Sequence, residues 1–325
     1  MHGLCRALAM LSIWALAVLA GAPAPAAEGL RVAVLQFGTV NWELDTIRHH
    51  GLDRANGFAL EIRPLAGAAA AKVAFEGGEA DVIVSDWIWV ARRRAARADH
   101  VFISYSRAVG GLIVPGDSPT RTLADLKGRT IGVAGGPVDK SWLILQAFAL
   151  GQGFDLKAQT KQVYGAAPLM YQKALAGEIA ATVNFWHFAA KMEARGFRRL
   201  VSVTDAAEAL GLDPATPLLG YVVKGEMVRE QPDLVHGLAA ASRAAKAILA
   251  TDDAEWDRLR PLMNAKTDAE FERLKAGFRE GIPSPDPVDL AAAARMFALM
   301  AKLGGEALVG GATELPDGVF LSLGD

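Results

Sequence analysis

Val133-Ala134-Gly135-Gly136-Pro137-Val138-Asp139-Lys140-Ser141-Trp142 is the stretch on which the reading of this chain turns. Residues 130–134 form a short apolar run of β type, broken by two glycines and a proline. Apolar residues then recur at Trp142, Leu145 and Phe148, which predicts a helix starting near Asp139. A strand, a tight Gly-Gly turn and a fresh helix N-terminus can hold an anion or polar group. The first helical N–H groups have no internal partner, and the helix dipole favours negative charge there. Asp139 is placed to cap the helix. Lys140 adds a full positive charge, although inside the helix it is expected to face the surface. Taken alone, such a stretch is the ordinary strand-to-helix connection of any α/β domain, so its neighbours must give it meaning.

Working outward, the same beat recurs. Strands are predicted over residues 30–35, 58–65, 81–84, 101–104, 110–114, 162–164, 180–184, 200–203 and 218–223. Helices are predicted between them, over 41–50, 67–75, 85–98, 168–176 and 186–195, with a short capped helix at 120–128. The β-α pattern runs through once and restarts near Thr130, so two lobes of α/β class are expected, each a mostly parallel sheet flanked by helices. Beyond residue 226 the pattern is helical, which predicts that the chain returns to the first lobe and packs around it. The expected division is lobe 1 over 27–114, lobe 2 over 115–218, and a return to lobe 1 over 219–325.

The N-terminus has the form of a secretory signal peptide. Arg6 precedes an apolar run over 7–20, interrupted by Ser12, and Ala24 and Ala26 stand in an A-x-A arrangement. Cleavage is expected after Ala26, and the periplasm is the expected compartment. The single cysteine, Cys5, would be lost with the signal, which excludes a disulfide or a cysteine-based metal site from the mature chain. A formal net charge of −2 over 325 residues argues against a nucleic-acid partner. The one basic run, Arg92-Arg93-Arg94, reads as a solvated helical face.

Ligands in open α/β sheets bind outside the carboxyl ends of strands. After the first strand come Gln36, Phe37, Gly38, Thr39 and Trp42; after the second, Gly67; after the third, Ser85, Asp86 and Trp87. In the second half come Gly135, Gly136, Pro137 and Asp139, then Asn184, Phe185, Trp186 and His187, with Tyr221 on the returning strand. Rings combined with polar groups of modest charge suit a pocket for a small organic ligand. Each residue also has a plain structural reading. Trp42, Trp87 and Trp142 recur at core spacing, Asp86 can simply cap its helix, His187 can be a structural histidine, and Asn184 can bond the turn backbone.

At these residues the chain resembles a solute-binding protein of an ABC importer, of the nitrate/sulfonate/taurine (NitT/TauT) type, in the group that includes thiamine-precursor-like binders. The resemblance rests on four stretches: Gln36-Phe37-Gly38-Thr39; Phe75-Glu76-Gly77-Gly78-Glu79-Ala80-Asp81-Val82 followed by Ser85-Asp86; Leu123-Ala124-Asp125-Leu126-Lys127-Gly128-Arg129-Thr130-Ile131-Gly132-Val133; and Asn184-Phe185-Trp186 before a helix ending at Gly196-Phe197. It implies the two-lobed type II periplasmic-binding-protein fold, with ligand in the cleft, closure on binding and delivery to an inner-membrane permease. It also implies that 36–39, Gly67, Ser85, Asp86, 135–139 and 184–186 line the cleft. Asp86 at a helix mouth would repel a bare sulfonate or nitrate, which points to a ligand with a ring or an amine, a sulfonate remaining open.

The resulting expectation is a periplasmic binding component without a cofactor, acting as a monomer on a small organic solute. Two other function classes stay open. One is a small-molecule-converting enzyme on the same fold, with His187 paired to Asp139 or Asp86 as acid and base. The other is a periplasmic partner protein outside transport. No Ser-His-Asp order, P-loop or H-E-x-x-H motif supports the enzyme. His49-His50 with Asp45 sets imidazole and carboxylate on one helix face, but two ligands do not make a metal site.

Overall fold

The computed structural model describes residues 28–321. The expected signal peptide, its cleavage point and Cys5 lie outside the described residues.

The chain opens with β1 (Glu28–Leu35), α1 (Val40–His49), the single turn α2 (Leu52–Ala55) and β2 (Phe58–Leu65). It continues through α3 (Ala68–Glu76), β3 (Val82–Asp86), α4 (Trp87–Ala95), β4 (His100–Ser106) and β5 (Gly111–Val114). A 3-10 turn (Leu123–Leu126) leads to β6 (Thr130–Ala134), α5 (Lys140–Gly151), the single turn α6 (Leu156–Gln159) and β7 (Lys161–Gly165). Next come α7 (Ala167–Leu175), β8 (Ala181–Asn184), α8 (Trp186–Glu193), β9 (Arg198–Ser202), α9 (Val203–Ala209) and β10 (Leu219–Lys224). The chain closes with α10 (Gly225–Glu230), α11 (Pro232–Thr251), α12 (Asp253–Met263), α13 (Asp268–Glu280) and α14 (Leu290–Val309).

These elements build two five-stranded sheets, in the orders β2-β1-β3-β10-β4 and β7-β6-β8-β5-β9. The two orders are equivalent. In the first sheet β1 is parallel to β2 and β3, and β10 is antiparallel to β3 and β4. In the second, β6 is parallel to β7 and β8, and β5 is antiparallel to β8 and β9. Each lobe is thus mostly parallel with one reversed inner strand, and in both lobes that strand adjoins a crossing of the chain between sheets. Because β5 is hydrogen-bonded in the second sheet, the first crossing lies at 107–110, ahead of the expected boundary at 114/115. Gly110 marks this crossing: a Cβ there would stand 1.8 Å from the Asn184 carbonyl oxygen, so no side chain fits.

Strand faces buried by helices on both sides account for the apolar runs. Leu30, Val32 and Val34 of β1, and Ile131 and Val133 of β6, are fully buried. The first lobe also buries a polar network. Tyr221 Oη and Ser242 Oγ donate to Glu43 Oε1 at 2.8 and 2.6 Å, and Lys246 Nζ lies 2.7 Å from Glu43 Oε2. The tail does more than return to lobe 1. α14 packs on both α4 and α5, and α13 packs on α8 of the second lobe. Met296, Phe297 and Met300 of α14 belong to one apolar cluster that contains Trp87 from lobe 1 and Trp142 from lobe 2.

Candidate functional site

The opening stretch folds as its residue types demand. Gly135 and Gly136 have φ of 96° and 132°, which residues with a Cβ rarely adopt, so the turn out of β6 depends on both. Asp139 caps α5, its Oδ1 accepting from the Trp142 N–H at 3.0 Å. In the first lobe Asp86 does the same for α4, its Oδ1 accepting from the Trp89 N–H at 2.8 Å.

The two capped turns meet across the cleft. Lys140 Nζ donates to Asp86 Oδ2 at 2.8 Å, so an ion pair joins the lobes where their strands end. Burial alone would lift the Asp86 pKa, but the Lys140 charge and hydrogen bond overturn this and hold it below the usual carboxylate value. Asp139 has no such partner, and burial raises it to about 6. Lys140 therefore does not face the surface as expected. The repulsion argument against anionic ligands also falls, because the Asp86 charge is compensated by Lys140.

A cavity of about 660 Å³, whose lining includes neither Asp86 nor Lys140, lies between α1 and β2 on one side and α7 and α8 on the other. Gln36, Phe37, Gly38 and Trp42 line it from the first lobe, His187 from the second. Its floor includes Lys191, Arg195 and Lys266, against Asp45 and Glu270. Arg195 Nε donates to Glu270 Oε1 at 2.8 Å, and Lys191 Nζ donates to the Asn264 carbonyl at 3.0 Å, so Lys191 of α8 and Arg195 just past its end both reach across to the α12–α13 region. Burial lowers the pKa of Lys191, and it takes His187 down to about 3, which makes this imidazole neutral at ordinary pH.

Helix starts around the cleft fall into two kinds. α4 and α5 carry aspartate caps, whereas α1, α3, α7 and α8 begin at Thr39, Gly67, Ala166 and Phe185 without a side-chain cap bond. The first-turn N–H groups at these four ends have no side-chain acceptor, although Asn41 and Trp42 of α1 and Phe188 of α8 already donate to backbone carbonyls, and Pro168 leaves α7 one donor fewer. At two of these ends rings are left in water: Phe37, before α1, is 72% exposed, and Phe185, before α8, 38%.

The sequence-predicted residues divide accordingly. Gln36, Phe37, Gly38, Trp42 and His187 line this cavity, whereas Thr39, Gly67, Ser85, Asp86, Gly135, Gly136, Pro137, Asp139 and Phe185 lie at strand ends outside its lining. Asn184 also lies there but is buried and occupied: it donates to the Ala167 carbonyl at 3.1 Å and accepts from the Phe185 N–H at 2.8 Å. Trp42 and Trp186 are nearly buried and pack edge to face at 6.0 Å, forming an apolar contact between lobes.

Trp87 and Tyr221 are misplaced by the sequence reading. Trp87 has no exposed surface and packs against Phe297 and Phe320, because the first residue of α4 turns its side chain into the core. Tyr221 is likewise fully buried, its hydroxyl tied to Glu43. The expected pairing of His187 with Asp139 or Asp86 is also absent among the described hydrogen bonds; His187 instead packs on Phe188 at 4.5 Å. Asp45 lies beside Arg258 rather than at the histidines, and Glu255 takes its place there.

Lys140, Lys191, Arg195 and Lys266 are the residues that sequence reasoning missed. A lysine just after an N-cap was visible as a charge near the cleft, but its direction was not. Nothing in the sequence places the α12–α13 corner against α8, some 75 residues away along the chain.

Two sheets of equivalent order, joined by two connections, give the two-lobed architecture of the periplasmic-binding-protein fold. Residues 48–255, more than half of the chain, match the family described as NMT1/THI5 like, and the chain belongs to that family. Solved structures carry the same fold. The alkanesulfonate-binding protein SsuA from Xanthomonas axonopodis pv. citri, bound to MOPS, is 18% identical with a TM-score of 0.70, the match covering 92% of this chain and 99% of that one. The aliphatic sulphonate binding protein SsuA from Escherichia coli is 17% identical with a TM-score of 0.69, covering 92% and 95%. A DszB mutant in complex with biphenyl-2-sulfinic acid is 18% identical with a TM-score of 0.56, covering 85% and 91%. No curated protein matches the sequence. Among the described residues, no helix is long and apolar enough to cross a membrane.

Proposed function

We propose that this chain is the periplasmic solute-binding component of an ABC importer, and that its solute is a small organic oxyanion bearing a ring or apolar body. One observation carries the ligand class: the starts of α1, α7 and α8, none with a side-chain cap, border a cavity that is also lined by the exposed ring of Phe37. N–H groups at such ends recognise an oxyanion without needing a full charge, and the exposed ring offers a face to an apolar group. The ligands named for two neighbours, MOPS and biphenyl-2-sulfinic acid, also join a ring to an acidic sulfur group, in support of the same class.

Capture works by population shift. A ligand that touches 36–39 on one lobe and 135–139 or 184–187 on the other binds the closed form more tightly and so favours it. A permease that recognises the closed form then receives the solute. His187 is neutral and unpaired with either aspartate, so the arrangement offers no acid–base pair, and binding without turnover is the reading it supports. Export through a cleavable signal and action as a monomer belong to the same proposal.

The test is calorimetry and thermal-shift screening of the mature protein against aryl sulfonates, alkyl sulfonates, aryl carboxylates and aryl amines. Aryl sulfonates or carboxylates should stabilise it, and amines of the same shape should not. Stabilisation by amines alone would overturn the ligand class. Gly136→Val should abolish that stabilisation while circular dichroism stays that of the folded protein, because φ of 132° excludes a branched side chain from the native turn. Undiminished affinity in Gly136→Val would place the ligand elsewhere.

A further inference from the structure

The structure assigns a divalent transition-metal site, outside the cleft, to His49, His50 and Glu255. The two histidines end α1, and Glu255 lies in the first turn of α12, more than two hundred residues later in the chain. Folding brings one ligand atom of each to within 4.8 Å of the others. His50 Nε2 already stands 3.2 Å from Glu255 Oε2. Ligand atoms around a tetrahedral zinc ion with bonds near 2.1 Å are separated by about 3.4 Å, so this pair needs little movement. The His49 ring packs edge to face on His50, with centroids 4.9 Å apart, and it is exposed and free to swing inward.

The carboxylate is oriented for the task. Thr46 Oγ donates to Glu255 Oε1 at 2.7 Å, and Arg258 donates to Oε1 at 2.7 Å and Oε2 at 3.0 Å. Both oxygens are therefore oriented by the protein, and Oε2, shared with Arg258, also faces His50. Such outer contacts set the direction of a ligating group. Arg258 also pairs with Asp45, so when a cation takes Oε2 the guanidinium keeps a carboxylate partner. Two imidazoles and one carboxylate with an open fourth position select zinc-like ions over magnesium or calcium, which prefer all-oxygen shells. Such an ion would clamp the far ends of α1 and α12, whose near ends border the cavity at Gly38 and Asn264.

The experiment is titration of chelator-treated, tag-free mature protein with zinc chloride by calorimetry. One equivalent should bind, with affinity at least tenfold weaker in His49→Ala or His50→Ala and lost in the double variant. Both side chains are exposed, so the variants should fold. Glu255→Gln should also weaken zinc binding, and His236→Ala, at an exposed histidine on α11, should leave it unchanged. Absence of zinc binding by the native protein, or native affinity in the double variant, would overturn the assignment.

Discussion

Asp86 and Asp139 cap helices at different points of two equivalent units, Asp86 after β3 and Asp139 after β6, the counterpart of β1, and the protein treats them oppositely. Each follows a strand of its lobe and caps the next helix through a backbone N–H. One is matched by Lys140 and held ionised below the usual range; the other is half-buried without a bonded cation, and desolvation raises it to about 6. The local motif therefore fixes the backbone, whereas a single residue from the opposite lobe sets the charge. The one ion pair that joins the two turns also makes lobe closure a matter of electrostatics at this edge. On the other edge, closure rests on Trp42 against Trp186 and on Arg195 with Glu270.

The largest break in this comparison should come from Lys140→Met. It leaves the enclosed Asp86 carboxylate without its bonded counter-charge, with only the unbonded charge of Lys72 nearby. We expect a loss of roughly 2 kcal/mol in denaturant unfolding, discounted from the ~3–5 kcal/mol of a fully buried pair for partial solvent access. Adding Asp86→Asn, which keeps the cap, should recover most of it. A Lys140→Met loss below about 0.5 kcal/mol would mean the pair contributes nothing in solution.

The pH dependence sharpens the comparison, because the two groups act with opposite sign. Asp139 has a folded pKa near 6 against 3.8 for the free group. Between those values the native state holds a proton that the unfolded chain has released, so this contribution falls as pH rises through the window. Asp86, with a lowered pKa, stabilises above the unfolded value, and that stability is lost as pH falls through the folded one. Asp139→Asn should therefore gain on the order of 1 kcal/mol at pH 8, allowing for screening at its open side. It should also flatten the stability profile between about pH 4 and 6. A profile identical to the native one would show that Asp139 titrates normally.

The smallest stability effect belongs to Phe37→Ala. With Phe37 72% exposed, unfolding free energy should change by less than about 0.5 kcal/mol. Affinity for an aryl oxyanion should nevertheless fall roughly tenfold, as expected when one ring contact worth ~1–1.5 kcal/mol is removed. Unchanged affinity would remove the exposed ring from the ligand argument.

Much of this was readable in the sequence. The run from Thr130 to Trp142 yields β6 at its expected bounds, the turn, and the capped helix, because glycine, proline and aspartate act through their own backbone chemistry. The place of Phe37 at the cavity follows from its position after β1. The direction of a side chain inside an element does not. Trp87 follows Asp86 by one residue, and that step on a helix turns it from the cleft into the core. Lys140 and Arg195 take partners from the opposite lobe, and the side chain of α13 that meets α8 is fixed by tertiary packing. The membership of β5 was missed for a related reason: four apolar residues fit either sheet, and only pairing with β8 and β9 assigns them.

The reversed inner strands also set an order of assembly. All five strands of the second sheet lie between Gly111 and Ser202, so that lobe can complete its sheet from contiguous chain. The first sheet cannot, because β10 sits between β3 and β4 and belongs to residues 219–224. Until that strand inserts, the facing edges of β3 and β4 are unpaired and open to wrong partners. A chain emerging from its N-terminus therefore makes most of lobe 1 first yet finishes it last. The long loop closure this requires is the step expected to govern the folding rate and the demand for chaperones.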